Sequence, residues 1–106
     1  MLKYMITILI AGLMSLSMFS QEYEYKTFEY PDGGVQSEGL MKMGLEFGPW
    51  KYYNKEGELV QMTEYKEGLV NGKLVYYYPG KIKKNEGNFR DGLQMGSYKE
   101  WYESGQ

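Results

Sequence analysis

The residues best suited to chemistry in this chain are its tyrosines. The 106-residue sequence has 12 Tyr, 2 Trp and 4 Phe but no histidine and no cysteine. Without histidine and cysteine, the usual serine-triad base, thiol nucleophiles and most zinc or haem sites are excluded. Disulfides are excluded as well. Because Tyr and Trp are the residue types that dominate binding hot spots, the composition favours recognition over catalysis.

Carboxylate pairs are the remaining catalytic candidates, since two acids can cleave a glycosidic bond. Glu64 and Glu67 lie close in sequence, as do Glu100 and Glu103. Glycoside cleavage needs a cleft that raises one pKa by desolvation, and a small open sheet offers little shelter of that kind. The serines, which lack an evident base, are interpreted as turn or exposed strand residues: Ser37, Ser97 and Ser104. We predict no catalytic, cofactor-binding or metal-binding residues, and a chain that is not an enzyme.

The spacing of glycine indicates an internal repeat of 24 residues, a pattern typical of repeat architectures. Three glycine pairs recur at this interval: Gly44 and Gly48, Gly68 and Gly72, Gly92 and Gly96. Two residues after each pair comes a large side chain, at Trp50, Leu74 and Tyr98. Five residues after each pair comes an aromatic side chain, at Tyr53, Tyr77 and Trp101. The turn-forming segment from Tyr30 to Gly33 is interpreted as the tail of a degenerate earlier unit.

Each unit is predicted to form a strand, a turn, a second strand and a second turn. Tyr, Trp, Val and Phe favour a pleated surface, and no apolar stripe of helical period persists over a dozen residues. The glycines supply turns with positive φ, and residues 68–72 are predicted to form one such turn. The sequence therefore predicts an all-β protein, a single-layer antiparallel meander of consecutive β-hairpins, preceded by a signal-peptide helix.

Alternation along each strand assigns the large side chains to faces. Trp50 and Tyr52 are predicted to share one face, and so are Leu74 and Tyr76, whereas Tyr53 points to the other. A single layer cannot bury both faces. Tyrosine tolerates this situation because its ring is apolar and its hydroxyl can stay hydrated.

Residues 1–20 have the layout of a secretory signal peptide. One early cation precedes an apolar stretch over residues 5–14, and serines follow up to Ser20. Cleavage near Ser20 leaves residues 21–29 as an N-terminal extension and residues 30–106 as about three repeat units. A retained membrane anchor is the alternative, although a spanning helix needs about 20 predominantly apolar residues. We predict export to the periplasm, the outer envelope or the medium.

Charge in this chain is nearly balanced. The chain has 12 Lys and Arg residues and 14 Asp and Glu residues, which gives a net charge of −2. The two signs are interspersed along the sequence, whereas nucleic-acid binding needs clustered basic residues. The same pattern provides no electrostatic grip on anionic lipid. We predict no nucleic-acid partner and no charge-driven contact with lipid.

The repeated segments together resemble MORN repeats, the membrane occupation and recognition nexus family, in their longer bacterial variant. The matching stretches are GPWKYYNKEG (48–57), YKEGLVNGKLVYYYPG (65–80) and FRDGLQMGSYKEWYESG (89–105). The resemblance implies an elongated, curved sheet of consecutive hairpins that holds a partner protein and, in some members, touches lipid. Many bacterial members are filed as antitoxins. A toxin-neutralising partner is normally cytoplasmic, whereas this chain begins with a predicted export signal.

The candidate partner-binding residues are surplus tyrosines outside the repeat-defining positions: Tyr52, Tyr76, Tyr78 and Tyr102. Three functions remain open at this point. The first is a non-catalytic module that binds an unidentified protein partner through these rings. The second is a structural cell-envelope protein that self-associates through its open sheet edges. The third is an antitoxin-like neutraliser of a partner protein.

Overall fold

A computed structural model describes residues 22–104 as one antiparallel β-sheet. Its seven strands are β1 (Glu24–Glu29), β2 (Val35–Lys42), β3 (Leu45–Tyr53), β4 (Leu59–Lys66), β5 (Leu69–Tyr78), β6 (Ile82–Arg90) and β7 (Leu93–Glu100). The strands lie in the sheet in chain order, so the predicted all-β meander is confirmed. The predicted signal peptide over residues 1–20 lies outside the described residues. Within the described part of the chain, no helix is long and apolar enough to cross a membrane.

One end of the sheet is formed by three equivalent two-residue turns. In each turn both residues have positive φ: Met43 and Gly44, Glu67 and Gly68, Asp91 and Gly92. Two successive positive φ values are typical of a type I′ turn, whose twist matches that of the flanking strands. The first glycine of each sequence pair is therefore required by the hairpin.

The second glycine of each pair differs from the prediction. Gly72 lies inside β5 with a φ of 121°. At this point the register of β4 against β5 shifts, which is the signature of a β-bulge. A Cβ on Gly72 would also collide with the Glu64 carboxylate. The predicted turn over residues 68–72 is wrong, because the turn ends at Gly68 and the strand resumes at Leu69.

The opposite end of the sheet has longer turns. Residues 54–58 form a turn that is closed by a 2.9 Å hydrogen bond from the first N–H to the last carbonyl. Residues 30–34 form the same turn, with a corresponding bond of 2.7 Å. Because these turns lie one repeat interval apart, the repeat continues back into strand β1. That strand lies within the predicted N-terminal extension, residues 21–29.

The strand register defines two faces of the sheet. Paired residues in neighbouring strands share a face, and successive residues of one strand alternate between faces. The aromatic face carries Phe28, Trp50, Tyr52, Tyr65, Tyr76 and Tyr98. The ionic face carries Glu38, Lys51, Lys73, Val75, Lys83 and Glu86. The predicted assignment of Trp50 and Tyr52 to one face and of Tyr53 to the other is confirmed.

Each face has one buried hydrophobic residue. Trp50 is 2% exposed on the aromatic face, and Val75 is 6% exposed on the ionic face. A second layer normally covers a sheet face, and the described residues form only this one sheet. Many large apolar side chains therefore stay exposed to solvent.

Candidate binding face

Three aromatic rings line up across the aromatic face. Direct register pairs join, in order, Phe28, Ser37, Tyr52, Gln61, Tyr76, Asn85 and Glu100, which we call the cross-strand row. Rings on β1, β3 and β5 alternate with hydroxyl or amide side chains on β2, β4 and β6, and the row ends at the Glu100 carboxylate on β7. Neighbouring strands lie about 4.8 Å apart, so the backbone positions that carry successive rings are about 9.6 Å apart. The row is therefore a periodic surface rather than a pocket.

Trp50 packs beside the row, two residues before Tyr52 in β3 and on the same face. Its indole covers Gly39 so closely that a Cβ on Gly39 would lie 2.5 Å from the ring carbons. The indole Nε1 donates to the Leu40 carbonyl at 2.8 Å, which satisfies a buried donor. The Phe28 ring stacks on Trp50 with a centroid distance of 6.1 Å, and the Tyr65 ring meets it edge-on at 6.4 Å.

Tyr52 is fixed in the row by its hydroxyl. Its oxygen lies 2.6 Å from the Tyr65 hydroxyl oxygen, and the two groups share one hydrogen bond. Burial raises the pKa of Tyr52 well above its usual value, and the bond with Tyr65 raises it further. Tyr52 therefore remains neutral at physiological pH and forms a rigid wall of the row.

Tyr76 is the more accessible of the two candidate tyrosines in the row, with 40% of its surface exposed. Beside it, the Gln61 amide Nε2 donates to Thr63 Oγ1 at 2.8 Å. Thr63 is itself buried on the same face. The floor between Tyr52 and Tyr76 is thus an amide held in place by the sheet.

The other two candidate tyrosines meet in a hollow near β7. Its volume is about 380 Å³, and it is lined by Tyr78, Lys84, Asn85, Glu100, Trp101 and Tyr102. The Tyr78 hydroxyl donates to the Trp101 carbonyl at 3.3 Å. The Tyr30 hydroxyl makes the equivalent bond to the Tyr53 carbonyl at 2.7 Å. Because the two bonds are separated by two repeat intervals, the Tyr78 contact belongs to the repeat.

The four predicted tyrosines therefore fall into two adjoining groups. Tyr52 and Tyr76 lie in the cross-strand row, and Tyr78 and Tyr102 line the hollow where the row ends. The hydroxyls of Tyr52 and Tyr78 are engaged inside the protein, although the sequence predicted both side chains to be free. Tyr102 is 75% exposed.

The ionic face is organised around a buried carboxylate. Glu86 accepts hydrogen bonds from Lys83 at 2.9 Å and from Lys73 at 3.2 Å. The Lys83 bond lowers the pKa of Glu86 despite burial, and the Lys73 bond lowers it further. The bond to Glu86 in turn raises the pKa of Lys83. Glu86 and Lys83 therefore both stay charged around neutral pH.

A second carboxylate of the ionic face binds a repeat-defining tyrosine. The Tyr53 hydroxyl donates to Glu38 at 2.6 Å, and this bond lowers the pKa of Glu38. Burial and the same hydrogen bond raise the pKa of Tyr53 to about 12. Tyr53 thus serves the architecture of the sheet, as expected from its place in the repeat.

Most of the strand cations lie on one face of the sheet, although positive and negative charges are interspersed along the sequence. The register places these strand cations on the ionic face: Lys42, Lys51, Lys66, Lys73, Lys83, Arg90 and Lys99. From β2 to β5, the strands place a single charged residue on the aromatic face, Glu46. Charged residues that are interspersed in the sequence are therefore concentrated on one face of the folded sheet.

Several catalytic candidates of the sequence have structural roles. The Glu64 carboxylate accepts the N–H of Lys73 at 2.8 Å and so fills the β5 bulge, and Glu67 has a φ of 52° in a type I′ turn. Ser37 is buried in β2 rather than exposed, because it lies between Phe28 and Tyr52. No cluster of acidic residues within residues 22–104 is suited to holding a metal ion.

Sequence reasoning missed part of the aromatic face. Phe28 lies one repeat interval before Tyr52, so the repeat could have identified it. Gly39 and Gly87 are two repeat intervals apart. Gly39 lies beneath the Trp50 ring, and Gly87 lies close to the Tyr98 ring at the equivalent position. The polar members of the row share the interval but differ in type: Ser37, Gln61 and Asn85. Their common role is visible only from the strand register.

The site is thus a row of rings on an uncovered sheet face, and the row ends in a small hollow that is lined in part by Lys84 and Glu100. No family model matches this chain, and no curated protein or solved structure matches it.

Proposed function

We propose that this chain is an exported MORN-like repeat protein that acts as a non-catalytic protein-interaction module. The observation that carries the proposal is the cross-strand row. Phe28 is 46% exposed and Tyr76 is 40% exposed, on a face that Trp50 holds rigid. Exposed aromatic residues on an ordered surface are typical of binding hot spots, and exposed apolar patches mark interaction sites.

The shape of the surface favours a macromolecular partner. From β1 to β5 the row of rings extends over about 19 Å, as five strands require. Small molecules bind in concave sites that bury most of their surface, and a flat row of this length buries little of a small ligand. A partner protein can contact all three rings at once.

The repeat supports the MORN-like part of the proposal. The same type I′ turn and the same strand bulge recur at the repeat interval, so each unit contributes one equivalent hairpin. Export is proposed from the signal-peptide layout of residues 1–20. A partner is accordingly expected in the cell envelope or outside the cell.

The proposal is tested by crosslinking and capture of the partner from the native envelope with the full chain. Tyr76→Ala and Tyr78→Ala are expected to lose the captured protein, because they remove rings from the row and from the adjoining hollow. Tyr25→Ala is the matched control, since Tyr25 is 59% exposed on the ionic face. Capture that is unchanged in both test variants contradicts the proposal.

A further inference from the structure

We infer that the hollow beside β7 binds a small zwitterion, in which a quaternary ammonium group is joined by a short chain to an anion. This inference goes beyond the proposed function, because it assigns a ligand to a concave site at the end of the row. Pockets that hold small ligands have volumes of about 300–1,000 Å³, so a hollow of about 380 Å³ suits a small one. Its lining combines three aromatic rings with two charges and an amide: Tyr78, Trp101, Tyr102, Lys84, Glu100 and Asn85.

The two charges of the hollow have opposite signs and lie toward opposite sides of it. Lys84 Nζ lies 5.7 Å from the centre of the Tyr78 ring on β5. Glu100 belongs to β7, and Asn85 of β6 pairs with it across the strands. Within residues 22–104, neither Lys84 nor Glu100 forms an ion pair. A ligand that carries both signs of charge complements this arrangement, with its anion at Lys84 and its cation at Glu100.

The rings of the hollow determine the kind of cation. Aromatic faces attract cations, and quaternary ammonium ligands are recognised by aromatic cages. The protein's own Lys83 already makes such a contact, since its Nζ lies 5.6 Å from the centre of the Trp101 ring. Tyr102 is 75% exposed, so its ring is accessible to a ligand. Because N-methyl groups bury apolar surface against a ring, the lining favours a quaternary over a primary ammonium.

Hydrogen bonds across three strands fix the walls of the hollow. The Trp101 N–H donates to the Lys84 carbonyl at 3.0 Å, and the Tyr78 hydroxyl donates to the Trp101 carbonyl at 3.3 Å. These two bonds join β5, β6 and the segment that follows β7. The ligand therefore meets walls that are already ordered, which lowers the entropic cost of binding.

The two charges are specific to the last repeat unit. The equivalent residues of the two earlier units are uncharged: Tyr52 and Tyr76 for Glu100, and Gln36 and Val60 for Lys84. The earlier units form the same hairpins with these uncharged residues, so the fold does not require the charges. Their joint appearance around one hollow indicates a role that belongs to this unit alone.

The test titrates phosphocholine into the full chain and follows NMR chemical shifts. We expect saturable binding with a Kd below about 1 mM, with shifts of the Trp101 indole N–H and the Asn85 side-chain amide. Phosphoethanolamine lacks the N-methyl groups and choline lacks the phosphate, so each is expected to bind at least about tenfold more weakly. An absence of saturable phosphocholine binding, or equal affinity for either analogue, overturns the inference.

Variants of the two charges sharpen the test. Glu100→Gln and Lys84→Gln are each expected to weaken phosphocholine binding at least about fivefold, and Lys84→Gln introduces a residue that the first unit already accommodates. Lys55→Gln is the matched control, because Lys55 Nζ lies 5.9 Å from the centre of Tyr30, the repeat equivalent of Tyr78. Its affinity for phosphocholine is expected to equal that of the parent chain. An equal loss in Lys55→Gln, or no loss in both test variants, contradicts the inference.

The same zwitterion occurs in soluble compounds and in a lipid headgroup, and sedimentation with phosphatidylcholine vesicles distinguishes these sources. Co-sedimentation that soluble phosphocholine abolishes assigns the headgroup, whereas phosphocholine binding without such co-sedimentation assigns a soluble ligand. The inference and the proposed function fail separately. A lack of phosphocholine binding overturns only the ligand of the hollow, whereas partner capture that is unchanged in both Tyr76→Ala and Tyr78→Ala contradicts the proposed function.

Discussion

The two faces of this sheet deal differently with the lack of a second layer. On the ionic face, Lys73 and Lys83 lie beside Val75 and Met62, and their aliphatic stems cover apolar surface while their amines bind Glu86. On the aromatic face, the strands from β2 to β5 carry one charged side chain, Glu46, and the other charged side chains lie toward the edges of the sheet, at Glu24, Lys26 and Glu100. The comparison teaches that the centre of the ionic face, around Glu86, is covered by its own side chains, whereas the row of rings on the aromatic face is left uncovered. Apolar side chains also stay exposed on the ionic face beside the two-residue turns, at Leu45, Leu69 and Leu93.

The largest expected effect on stability distinguishes Trp50 from Val75, the two buried hydrophobic residues. Trp50→Ala is expected to cost about 3–5 kcal/mol in the free energy of unfolding, as for other buried aromatic truncations. Val75→Ala removes two methyl groups and is expected to cost about 2 kcal/mol. Urea denaturation measures both. Trp50→Phe keeps a ring over Gly39 and should fall between the parent chain and Trp50→Ala; an equal or larger cost for Val75→Ala contradicts this ranking.

The Glu86 triad gives the next largest expected effect. Glu86→Gln removes the charge that two lysines bind, and it is expected to cost about 1–2 kcal/mol, because the lysines are about half exposed and partly screened. Glu56→Gln, in an exposed turn, is the matched control and should stay within about 0.5 kcal/mol of the parent chain. Urea denaturation at neutral pH measures both, and equal effects would remove the distinction between the ionic face and the rest of the surface.

The pH dependence of stability should have two arms. Glu38 and Glu86 have a lowered pKa in the folded state, so their contribution is complete above the unfolded pKa and is lost as pH falls through the folded pKa. Tyr53 has its pKa raised to about 12, so its contribution is complete below the unfolded value of 10.0 and is lost as pH rises toward 12.

Urea midpoints measured against pH test these arms. Glu86→Gln should weaken the acid arm; it also removes the bond that raises the pKa of Lys83, so a smaller change at the alkaline arm is expected. Tyr53→Phe should reduce the alkaline arm, to which Tyr52 and Lys83 also contribute. It also removes a hydrogen bond to Glu38, so a smaller loss at the acid arm is expected. An alkaline arm that is unchanged by Tyr53→Phe contradicts the assignment.

A smaller effect is expected from the hydroxyl pair of the aromatic face. Tyr52→Phe removes the hydrogen bond to Tyr65 and should cost about 1 kcal/mol. The double variant with Tyr65→Phe should cost less than the sum of the two single variants, because the hydroxyls share one bond. Additive effects in urea denaturation would contradict a direct interaction.

The smallest expected effect on stability is at the residue most important for the proposed binding. Tyr76→Ala truncates a side chain that is substantially exposed, and it should change the free energy of unfolding by about 0.5 kcal/mol or less. The same variant is expected to lose the partner. A large decrease in the free energy of unfolding would show that Tyr76 stabilises the fold as Trp50 does, and would contradict this prediction.

The sequence predicted the hairpin meander well because the main determinants are local. The type I′ turns need positive φ at two adjacent residues, and Gly44, Gly68 and Gly92 recur at a fixed interval. The bulges were missed because glycine marks both turns and bulges, and only strand pairing distinguishes Gly72 from Gly68.

The candidate site was less predictable for a related reason. Alternation placed Tyr52 and Tyr76 on one face, and that prediction is confirmed by the register. It gave no information on which hydroxyls find partners inside the protein. The 2.6 Å bond between Tyr52 and Tyr65 joins residues on different strands, and the separation of charge between faces depends on the register of every strand pair.

Tyr76 and Tyr77 provide the most direct test of the central claim, because they are neighbours in β5 that point to opposite faces. Tyr77 belongs to the ionic face, where its hydroxyl donates to Met62 Sδ at 3.7 Å. Benzoyl-phenylalanine, a photo-reactive side chain, is introduced at either position of the full chain in the native cell. We predict a partner adduct from position 76 and none from position 77. Adducts of equal yield from both positions, or from position 77 alone, would contradict an aromatic docking face.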